Sequence, residues 1–575
     1  MKIVKAWLLI TFVGCTGAVT LPMYAQQMPG DLPGTQTDNG IPMPFIKPAA
    51  KDLIKVAPLD TPAPIVIGEA GISIVVKRFK FVGNQAESSE NLEPLVAAYL
   101  GKALTLGQLN EAADAIRRFY RNKGWFLAQA YIPAQSAKNG VIEIAVLEGR
   151  IDKITINVAA DAPISAAYAK RLINASLHAG QAISENGIER PLLLLRDVPR
   201  VDAKSVIDPG GDVGTATIVV NVVKDPDAPV ISGLVEADNY GSRVSGMNRL
   251  GGEINVNNPY GVGDQLSLRG FIASAGGNGF GRAAYSLPVG PWGTRVGVSI
   301  ARLDYVLGQE FAAIKPNGIA DVYSVNAAQP LIRSKNANLF VQLIAEKKQL
   351  TDQITTPYSS EKSALSSVRL QLNGDARDDF AGTTLYSLSV MRGNLSLNNA
   401  IRQTEDQDAA TGAHTNGGFD KLVFSAQRLQ QLVPSLNGMF SVSGQITNKN
   451  LHPAEKFSIG GENTVRAFPV GELVGDQGYT ATTELRYAIP GLKIGKLDVV
   501  STLFYDYGQV TQNHDNSLIK TSNNKRTISG YGLGLNLGYG DDALIKLAIA
   551  WPLIGVSQVE PNKRTRLWAY VGYFF

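Results

Sequence analysis

Histidine and cysteine, the side chains best suited to metal binding and to acid–base or nucleophilic chemistry, are rare and scattered in this chain of 575 residues. The four histidines are His178, His414, His452 and His514, without HxxxH spacing, and Cys15 is the single cysteine. A zinc site needs several such ligands, usually at short spacings. Neither a GxSxG nucleophile elbow nor a P-loop is present. The sequence therefore predicts no enzyme activity, no metal site and no cofactor.

The end of the chain has the pattern of a membrane-spanning strand. Counting back by twos from Phe575 gives Tyr573, Val571, Ala569 and Leu567, which form an unbroken apolar face. Such alternation over about ten residues is typical of a transmembrane β-strand, in which one face meets lipid and the other the lumen. This strand predicts an outer-membrane barrel.

The start of the chain agrees with export from the cytoplasm. Residues 1–25 have the positive start, apolar stretch and cleavage region of a secretory signal peptide. Cys15 lies within it, either as an incidental residue or as a lipidation site, and the sequence leaves both open. Residues 26–70 are rich in proline and predict a linker, with a short plug helix at 49–55 or nearer the mature N-terminus.

Two consecutive units, residues 71–151 and 152–226, share the predicted order of strand, two helices and two strands. Thr105 and Gln108 have capping-box spacing at the start of one helix, and Pro191 implies a kink in another. The predicted strands are 74–81, 126–132, 141–147, 152–158, 201–207 and 215–223, and the predicted helices are 91–100, 105–124, 165–177 and 185–195.

Residues 227–575 have a strand pattern throughout. The clearest hairpin extends from Gly530 to Leu553, with Tyr531, Tyr539 and Trp551 at strand ends, where aromatic girdles belong. At roughly 20 to 22 residues per strand and connection, this region would form about 16 strands. A large soluble β-protein is the alternative, but the signal peptide and the terminal strand favour the membrane barrel. The net charge of the chain is only +4, so we expect no nucleic-acid partner.

Several motifs occur in order within the strand-rich region. They are Asp238–Gly241, Asn258–Leu266, Gly460–Phe468, Gly475–Tyr479, Glu484–Arg486 and Phe504–Gly508. Together with the two preceding units, they resemble the outer-membrane transporters of two-partner secretion. These are the secretion and activation proteins of haemolysins and filamentous haemagglutinins, a branch of the barrel-assembly superfamily. The resemblance covers essentially the whole mature chain. It implies a transmembrane antiparallel β-barrel of about 16 strands, preceded by two α+β POTRA domains in the periplasm.

The resemblance also implies a site. The sixth loop of the family folds back into the barrel lumen, where its arginine, here Arg466, would pair with Asp506 on the wall. The loop motif comprises Val465, Arg466, Ala467 and Phe468, and the wall motif comprises Phe504, Asp506 and Gly508. A guanidinium is always charged and favours planar acceptors, although Arg466 could instead be a solvated loop charge. The pairing also requires Phe504 and Gly508 to face inward.

One position departs from the family pattern. The loop motif usually reads Val-Arg-Gly-aromatic, and here Ala467 replaces the glycine. Alanine, unlike glycine, avoids positive φ. If the family tip needs such a conformation, this loop is expected to be either strained or differently shaped.

The implied function is export of an unfolded exoprotein through the barrel, with the POTRA domains recognising this client. An exposed sheet edge could take up the client as an added strand. The basic residues Arg117, Arg118, Arg121 and Lys123 either guide the client or form a solvated helix face. The other expected partners are outer-membrane lipid and a barrel-assembly machinery that inserts the chain through Phe575.

Two other functions are open at this point. A barrel-assembly or insertion factor would share the architecture, but that branch usually has more POTRA repeats or essential partners. A diffusion porin is the second alternative, but porins have no POTRA domains. The two repeats and the Asn258–Leu266 hairpin favour secretion.

Overall fold

The computed structural model describes the chain from residue 53 to its end with eight gaps. The described residues are 53–56, 73–135, 138–274, 277–313, 315–355, 358–409, 412–489, 497–519 and 521–575. The predicted signal peptide, the Cys15 question and most of the predicted linker and plug helix lie outside these residues. No helix in the described ranges is both long and apolar enough to cross a membrane.

The first POTRA unit is a small sheet packed against two helices. In chain order, the elements from residue 53 to the end of this unit are β1 (Ile54–Val56), β2 (Ile74–Val75), β3 (Arg78–Val82), α1 (Ser89–Val96), β4 (Ala103–Leu104), α2 (Leu106–Asn122), β5 (Gln129–Tyr131) and β6 (Val141–Leu147), with 3₁₀ turns at Ala97–Tyr99 and Lys138–Gly140. The three-stranded sheet of the unit has the order β3-β6-β5, and a separate strand pair joins β2 to β4.

Local signals explain these helices. The Thr105 hydroxyl accepts from the backbone N–H of Gln108, and the Gln108 side chain accepts from the backbone N–H of Thr105, so the predicted capping box is present. α1 begins at Ser89, two residues before the predicted start, with Ser88 at the N-cap position but without a capping bond from its side chain. Burial raises the pKa of the Tyr120 hydroxyl, which donates to Glu148 at 3.1 Å.

The second POTRA unit has a four-stranded sheet of order β1-β8-β9-β7. Its elements are β7 (Arg150–Val158), α3 (Ala166–Ser176), α4 (Glu185–Arg196), β8 (Val201–Pro209) and β9 (Thr215–Lys224). α4 continues through Pro191, so the proline does not end the helix. The predicted helix at 49–55 is wrong in its described part. Leu53 fills the core of this unit, and Ile54–Val56 pair with β8 as a strand.

Sixteen antiparallel strands form a closed barrel. They are β10 (Ile231–Asp238), β11 (Arg249–Asn257), β12 (Gln265–Ala273), β13 (Asn278–Val289), β14 (Thr294–Val306), β15 (Asn317–Arg333), β16 (Ala337–Thr355), β17 (Tyr358–Arg377), β18 (Gly382–Leu397), β19 (Gly417–Val433), β20 (Leu436–Thr447), β23 (Gln477–Ala488), β24 (Leu497–Thr511), β25 (Lys525–Tyr539), β26 (Ala543–Ile554) and β27 (Arg566–Phe574). The two missing numbers, β21 (Phe457–Ile459) and β22 (Leu473–Gly475), form a hairpin within one loop. The remaining α-helices of the described residues are α5 (Ala400–Asp406) and α6 (Asn516–Ile519), and a 3₁₀ turn lies at Gln309–Phe311.

The terminal strand has the predicted two-faced pattern. Leu567, Val571, Tyr573 and Phe575 are exposed on the outside of the barrel, whereas Trp568 on the opposite face is buried. β27 closes the barrel by pairing with β10. The alternation read from the sequence therefore separates the outer from the inner face of the wall.

The second POTRA unit is bound to the short turns at one end of the barrel. At the end of α4, Asp197 accepts two hydrogen bonds from the guanidinium of Arg333, at 2.8 and 2.9 Å. The side chain of Asn258, in the first hairpin motif, donates to the carbonyls of Pro163 and Pro199. These contacts place the second unit at the end of the barrel that carries the short turns, opposite the long loops.

Candidate functional site

The connection between β20 and β23 turns inward instead of extending outward. It contains a 3₁₀ turn at Pro453–Glu455 and the β21–β22 hairpin, whose tip is the sixth-loop motif. In the tip, Val465 and Phe468 are almost completely buried against Ile528 and Ala550 of the barrel wall. The loop therefore packs inside the barrel on the inner faces of neighbouring strands.

Arg466 is the centre of what we call the tip network, formed with Glu484 and Asp506. Its Nε and one terminal nitrogen donate to the two carboxylate oxygens of Asp506, at 2.8 and 2.7 Å. Its other terminal nitrogen donates to Glu484 at 2.7 Å. Arg466 is 7% exposed and Asp506 0%. This two-pronged geometry is available to a guanidinium but not to an ammonium group.

Asp506 and Glu484 accept further hydrogen bonds from neighbouring groups. Asp506 also accepts from the backbone N–H of Arg466 and from the hydroxyl of Thr482, and Glu484 accepts from Arg486. Each of the two buried carboxylates therefore accepts hydrogen bonds from more than one donor, as a buried charge requires.

Aromatic groups hold the same arginine from two sides. The guanidinium lies over the ring of Phe504 at 3.4 Å from its centroid, a cation–π contact. The indole N–H of Trp568 donates to the backbone carbonyl of Arg466 at 2.7 Å. Because Trp568 lies on β27, the loop tip is bonded to the strand that closes the barrel.

The structure brings together the residues of the loop and wall motifs. Phe504, Asp506 and Gly508 all face inward, as the pairing required. An added Cβ at Gly508 would lie 2.9 Å from Ile459 and 3.0 Å from Val465, so the glycine leaves room for the loop.

Ala467 avoids the strain that its sequence position suggested. The positive φ values around the tip belong to Gly460, Gly461 and Gly471, and Ala467 has none. Its methyl group points at Gly530 of β25, where an added Cβ would lie only 2.2 Å away. The alanine is therefore accommodated because the facing wall position is glycine.

A second ion-pair cluster, which we call the stem network, holds the base of the same loop. Glu455 receives Lys348 at 2.8 Å and Lys421 at 2.6 Å, and all three side chains are nearly inaccessible to solvent. Lys348 also pairs with Glu346 at 3.2 Å. Here the loop contributes the anion and the wall the cations, the reverse of the tip network.

Sequence reasoning missed the stem network and the roles of Glu484 and Trp568. Glu484 belongs to a quoted motif, so its spacing could have suggested a role. Lys348 and Glu455 lie 107 residues apart, and no local pattern relates them.

The predicted basic set is not gathered into a single site. Arg117 pairs with Asp114 at 2.8 Å, and Lys123 pairs with Glu87 at 2.8 Å. Arg118 and Arg121 are exposed. Phe119 and Trp125 are partly buried and pack against the core of the first unit. In the described residues, no cluster of three or more His, Cys, Asp or Glu side chains is arranged to hold a metal ion.

Comparisons with known proteins agree with this architecture. The family model for haemolysin secretion/activation proteins ShlB/FhaC/HecB matches residues 216–537, and the model for ShlB-type POTRA domains matches residues 74–149. The heme/hemopexin transporter protein HuxB of Haemophilus influenzae is 28% identical over 84% of each chain. The outer membrane transporter CdiB of Dickeya dadantii is 24% identical over 72% of this chain and 73% of its own.

A solved structure shares the fold. CdiB from Escherichia coli superposes with a TM-score of 0.70 at 21% identity, covering 90% of this chain and 94% of that one. The barrel, the two POTRA units and the inward loop define an outer-membrane transporter with its POTRA domains in the periplasm. The chain belongs to the haemolysin secretion/activation protein family. It is a two-partner secretion transporter, and its function is the export of an exoprotein.

Proposed function

We propose that the sixth loop is the movable element of this transporter, and that the tip and stem networks hold it in the resting position inside the barrel. The observation that supports the proposal is the bonding of Arg466 to Asp506 and Glu484, because it joins an inward loop to two strands of the wall. A client passing through the lumen has to share that space with the loop. Export therefore requires the loop to shift, and the networks set how readily it does.

The proposed client is a large secreted exoprotein that is rich in β-structure and crosses in an extended form. The relatives are named as transporters of different cargoes, heme/hemopexin in one case and haemolysin in another. The proposal therefore names only the class of client, an exported protein partner, and not a particular exoprotein. Transport needs no catalytic step by the chain itself in this scheme. The exposed residues Arg118 and Arg121 remain candidates for guiding the client, whereas Arg117 and Lys123 already have local acidic partners.

The remaining proposed partners concern the membrane. The apolar side chains exposed on β27 would contact outer-membrane lipid, and Phe575 would be read by the barrel-assembly machinery during insertion. In the folded barrel, the backbone of Phe575 exchanges two hydrogen bonds with Gly233 of β10, at 2.8 and 3.1 Å. Once the barrel has folded, Phe575 therefore helps to close it.

Secretion of a candidate large exoprotein co-expressed with this chain tests the proposal. Cells would contain the wild type, no transporter, or a variant lacking residues 72–151, with barrel levels measured in each. Release should require the transporter and fall sharply without the first POTRA unit. Release that continues without the transporter would contradict the proposed client, and defects in other outer-membrane barrels instead would favour an assembly factor.

A further inference from the structure

The outer wall of the barrel has a groove with an apolar part and a basic part. Its volume is about 740 Å³. Ala345 lies between Val325 and Val368 in the ladder, and its short side chain leaves the depression. Lys347 and Arg392 border the groove, and both are exposed. The apolar part crosses the neighbouring strands β14 to β17, and its larger side chains, each about half exposed, are Val298, Ile300, Tyr323, Val325 and Val368.

Strand register places the groove on the lipid-facing side of the wall. Direct partners in a ladder point to the same face of a sheet, and so do alternate residues of one strand. Following the ladders from the exposed Val571 of β27 leads, strand by strand, to Arg392 on β18 and Lys347 on β16. The groove therefore faces the membrane and not the lumen.

The two cations lie at the height of lipid head groups. Lys347 and Arg392 are each ten residues beyond the first residue of their strand, and both strands begin at short turns on the POTRA side. Ten residues extend about 33 Å along a strand, which a tilt of 35–45° reduces to roughly 25 Å along the membrane normal. The apolar band of such a barrel is about 25 Å tall, so the cations lie at its outer-leaflet border. Exposed Leu343, Leu370 and Val390 continue the apolar surface toward the POTRA side.

The protein itself does little to neutralise these two cations. Among the described residues, the ammonium group of Lys347 has no ion-pair partner. The side chain of Arg392 is 81% exposed and approaches Asp420 only at 3.6 Å, beyond the range of a good hydrogen bond. Arg302, on the same face, donates instead to both carboxylate oxygens of Asp321, at 2.7 and 2.9 Å. Lys347 and Arg392 are therefore available to an external anion, whereas Arg302 is already paired.

We propose that this groove binds a lipid of the outer leaflet that carries phosphate on a sugar head group and several acyl chains. Lys347 and Arg392 bind the phosphate, and a guanidinium can do so through two parallel hydrogen bonds. Ser366 and Asn394, direct partners in the ladder beside these cations, provide a hydroxyl and an amide for the sugar. The apolar part is about 14 Å wide at about 4.8 Å per strand, which leaves room for more than one acyl chain. Such a lipid is recognised by charge, unlike the general lipid contact of β27.

A lipid-binding titration of the purified mature transporter in non-ionic detergent tests this inference. The probe is lipid A, a phosphorylated glycolipid with several acyl chains, and bound lipid is counted by native mass spectrometry. Lys347→Gln/Arg392→Gln removes both cations, and Ala345→Trp fills the groove without changing its charge. The matched control is Lys563→Gln/Arg564→Gln, which removes one lysine and one arginine from an exposed loop between β26 and β27.

We expect Lys347→Gln/Arg392→Gln to weaken binding about thirtyfold, because each surface cation strengthens binding of an anionic lipid about fivefold. Ala345→Trp should also weaken binding, the loop control should bind like the wild type, and dephosphorylated lipid A should bind the wild type as weakly as lipid A binds the double variant. Each variant is first checked for a folded barrel by its mobility on unheated gels.

Equal affinity of the wild type and Lys347→Gln/Arg392→Gln for lipid A would overturn the inference, and so would unchanged binding by Ala345→Trp. Displacement of lipid A by inorganic phosphate would also overturn it, because the site would then be one for a free anion and not for a lipid. No client is present in this titration, so its result does not depend on export.

Discussion

Replacing Arg466 by alanine should release the tip of the sixth loop from the barrel wall. The substitution removes three charge-assisted hydrogen bonds, leaving buried Asp506 without its guanidinium partner and Glu484 with Arg486 alone. Breaking a buried pair by removing one partner typically costs about 3–5 kcal/mol. Here the lower value is expected, because Asp506 keeps the Thr482 hydroxyl and Glu484 keeps Arg486. A cost of about 3 kcal/mol corresponds to a roughly hundredfold shift toward the released loop.

The position of the loop can be followed with a single thiol. Thr464 is 3% exposed within the tip, so Thr464→Cys should react slowly with a bulky, membrane-impermeant maleimide while the loop is docked. In a background without Cys15, adding Arg466→Ala should accelerate labelling by up to about a hundredfold, limited by the contacts that remain. Arg466→Lys should give an intermediate rate, because an ammonium keeps the charge but not the two-pronged geometry.

Arg402 provides the matched control for this experiment. It belongs to α5 in an extracellular loop, its side chain is half exposed, and it pairs with Glu361 and Glu405. Exposed pairs contribute only about 0–1 kcal/mol, so Arg402→Ala should leave the labelling rate unchanged. If Arg466→Ala labels no faster than the wild type or this control, the tip network does not hold the loop and the reasoning is refuted.

Three further perturbations test neighbouring parts of the structure. Gly530→Ala should raise the labelling rate of the Thr464→Cys thiol, because its new methyl group would lie 2.2 Å from that of Ala467. Adding Ala467→Gly should restore part of the docking, and equal labelling rates in the single and double variants would contradict this. Glu455→Gln leaves buried Lys421 without its anionic partner and Lys348 with Glu346 alone, and should lower the free energy of unfolding by about 3–5 kcal/mol, measured by urea denaturation in detergent; an unchanged midpoint would contradict it. Arg333→Ala leaves Asp197 unpaired and should broaden the distance distribution between spin labels on the second POTRA unit and the barrel, whereas an unchanged distribution would show that other contacts suffice.

Features set by neighbouring residues could be predicted from the sequence. The alternation around Phe504 and Asp506 indicated their common face, and the same rule gave the outward face of β27. The capping box at Thr105 was visible because its donors and acceptors lie within three residues of each other. The arginine–carboxylate pairing, by contrast, came from resemblance to a family, since nothing local links Arg466 to a strand 40 residues later.

Features set by the closed barrel could not be predicted. The stem network joins the sixth loop to β16 and β19, which only the folded barrel brings together. The same limit applies to Ala467, whose fit depends on Gly530, a residue on another strand. Ile54 and Lys55 fell within one of the two places predicted for a short helix, but they form a strand because their conformation is fixed by pairing with β8 and not by their own pattern.

The opposite polarity of the two networks bears on how the loop can move. At the tip the loop contributes a cation to an acidic wall, and at the stem it contributes an anion to a basic wall. A slip of the loop along the lumen would therefore separate both sets of partners at once, leaving buried charges without partners in each. Intermediate positions are penalised more than either end state, which favours a loop that is either docked or released.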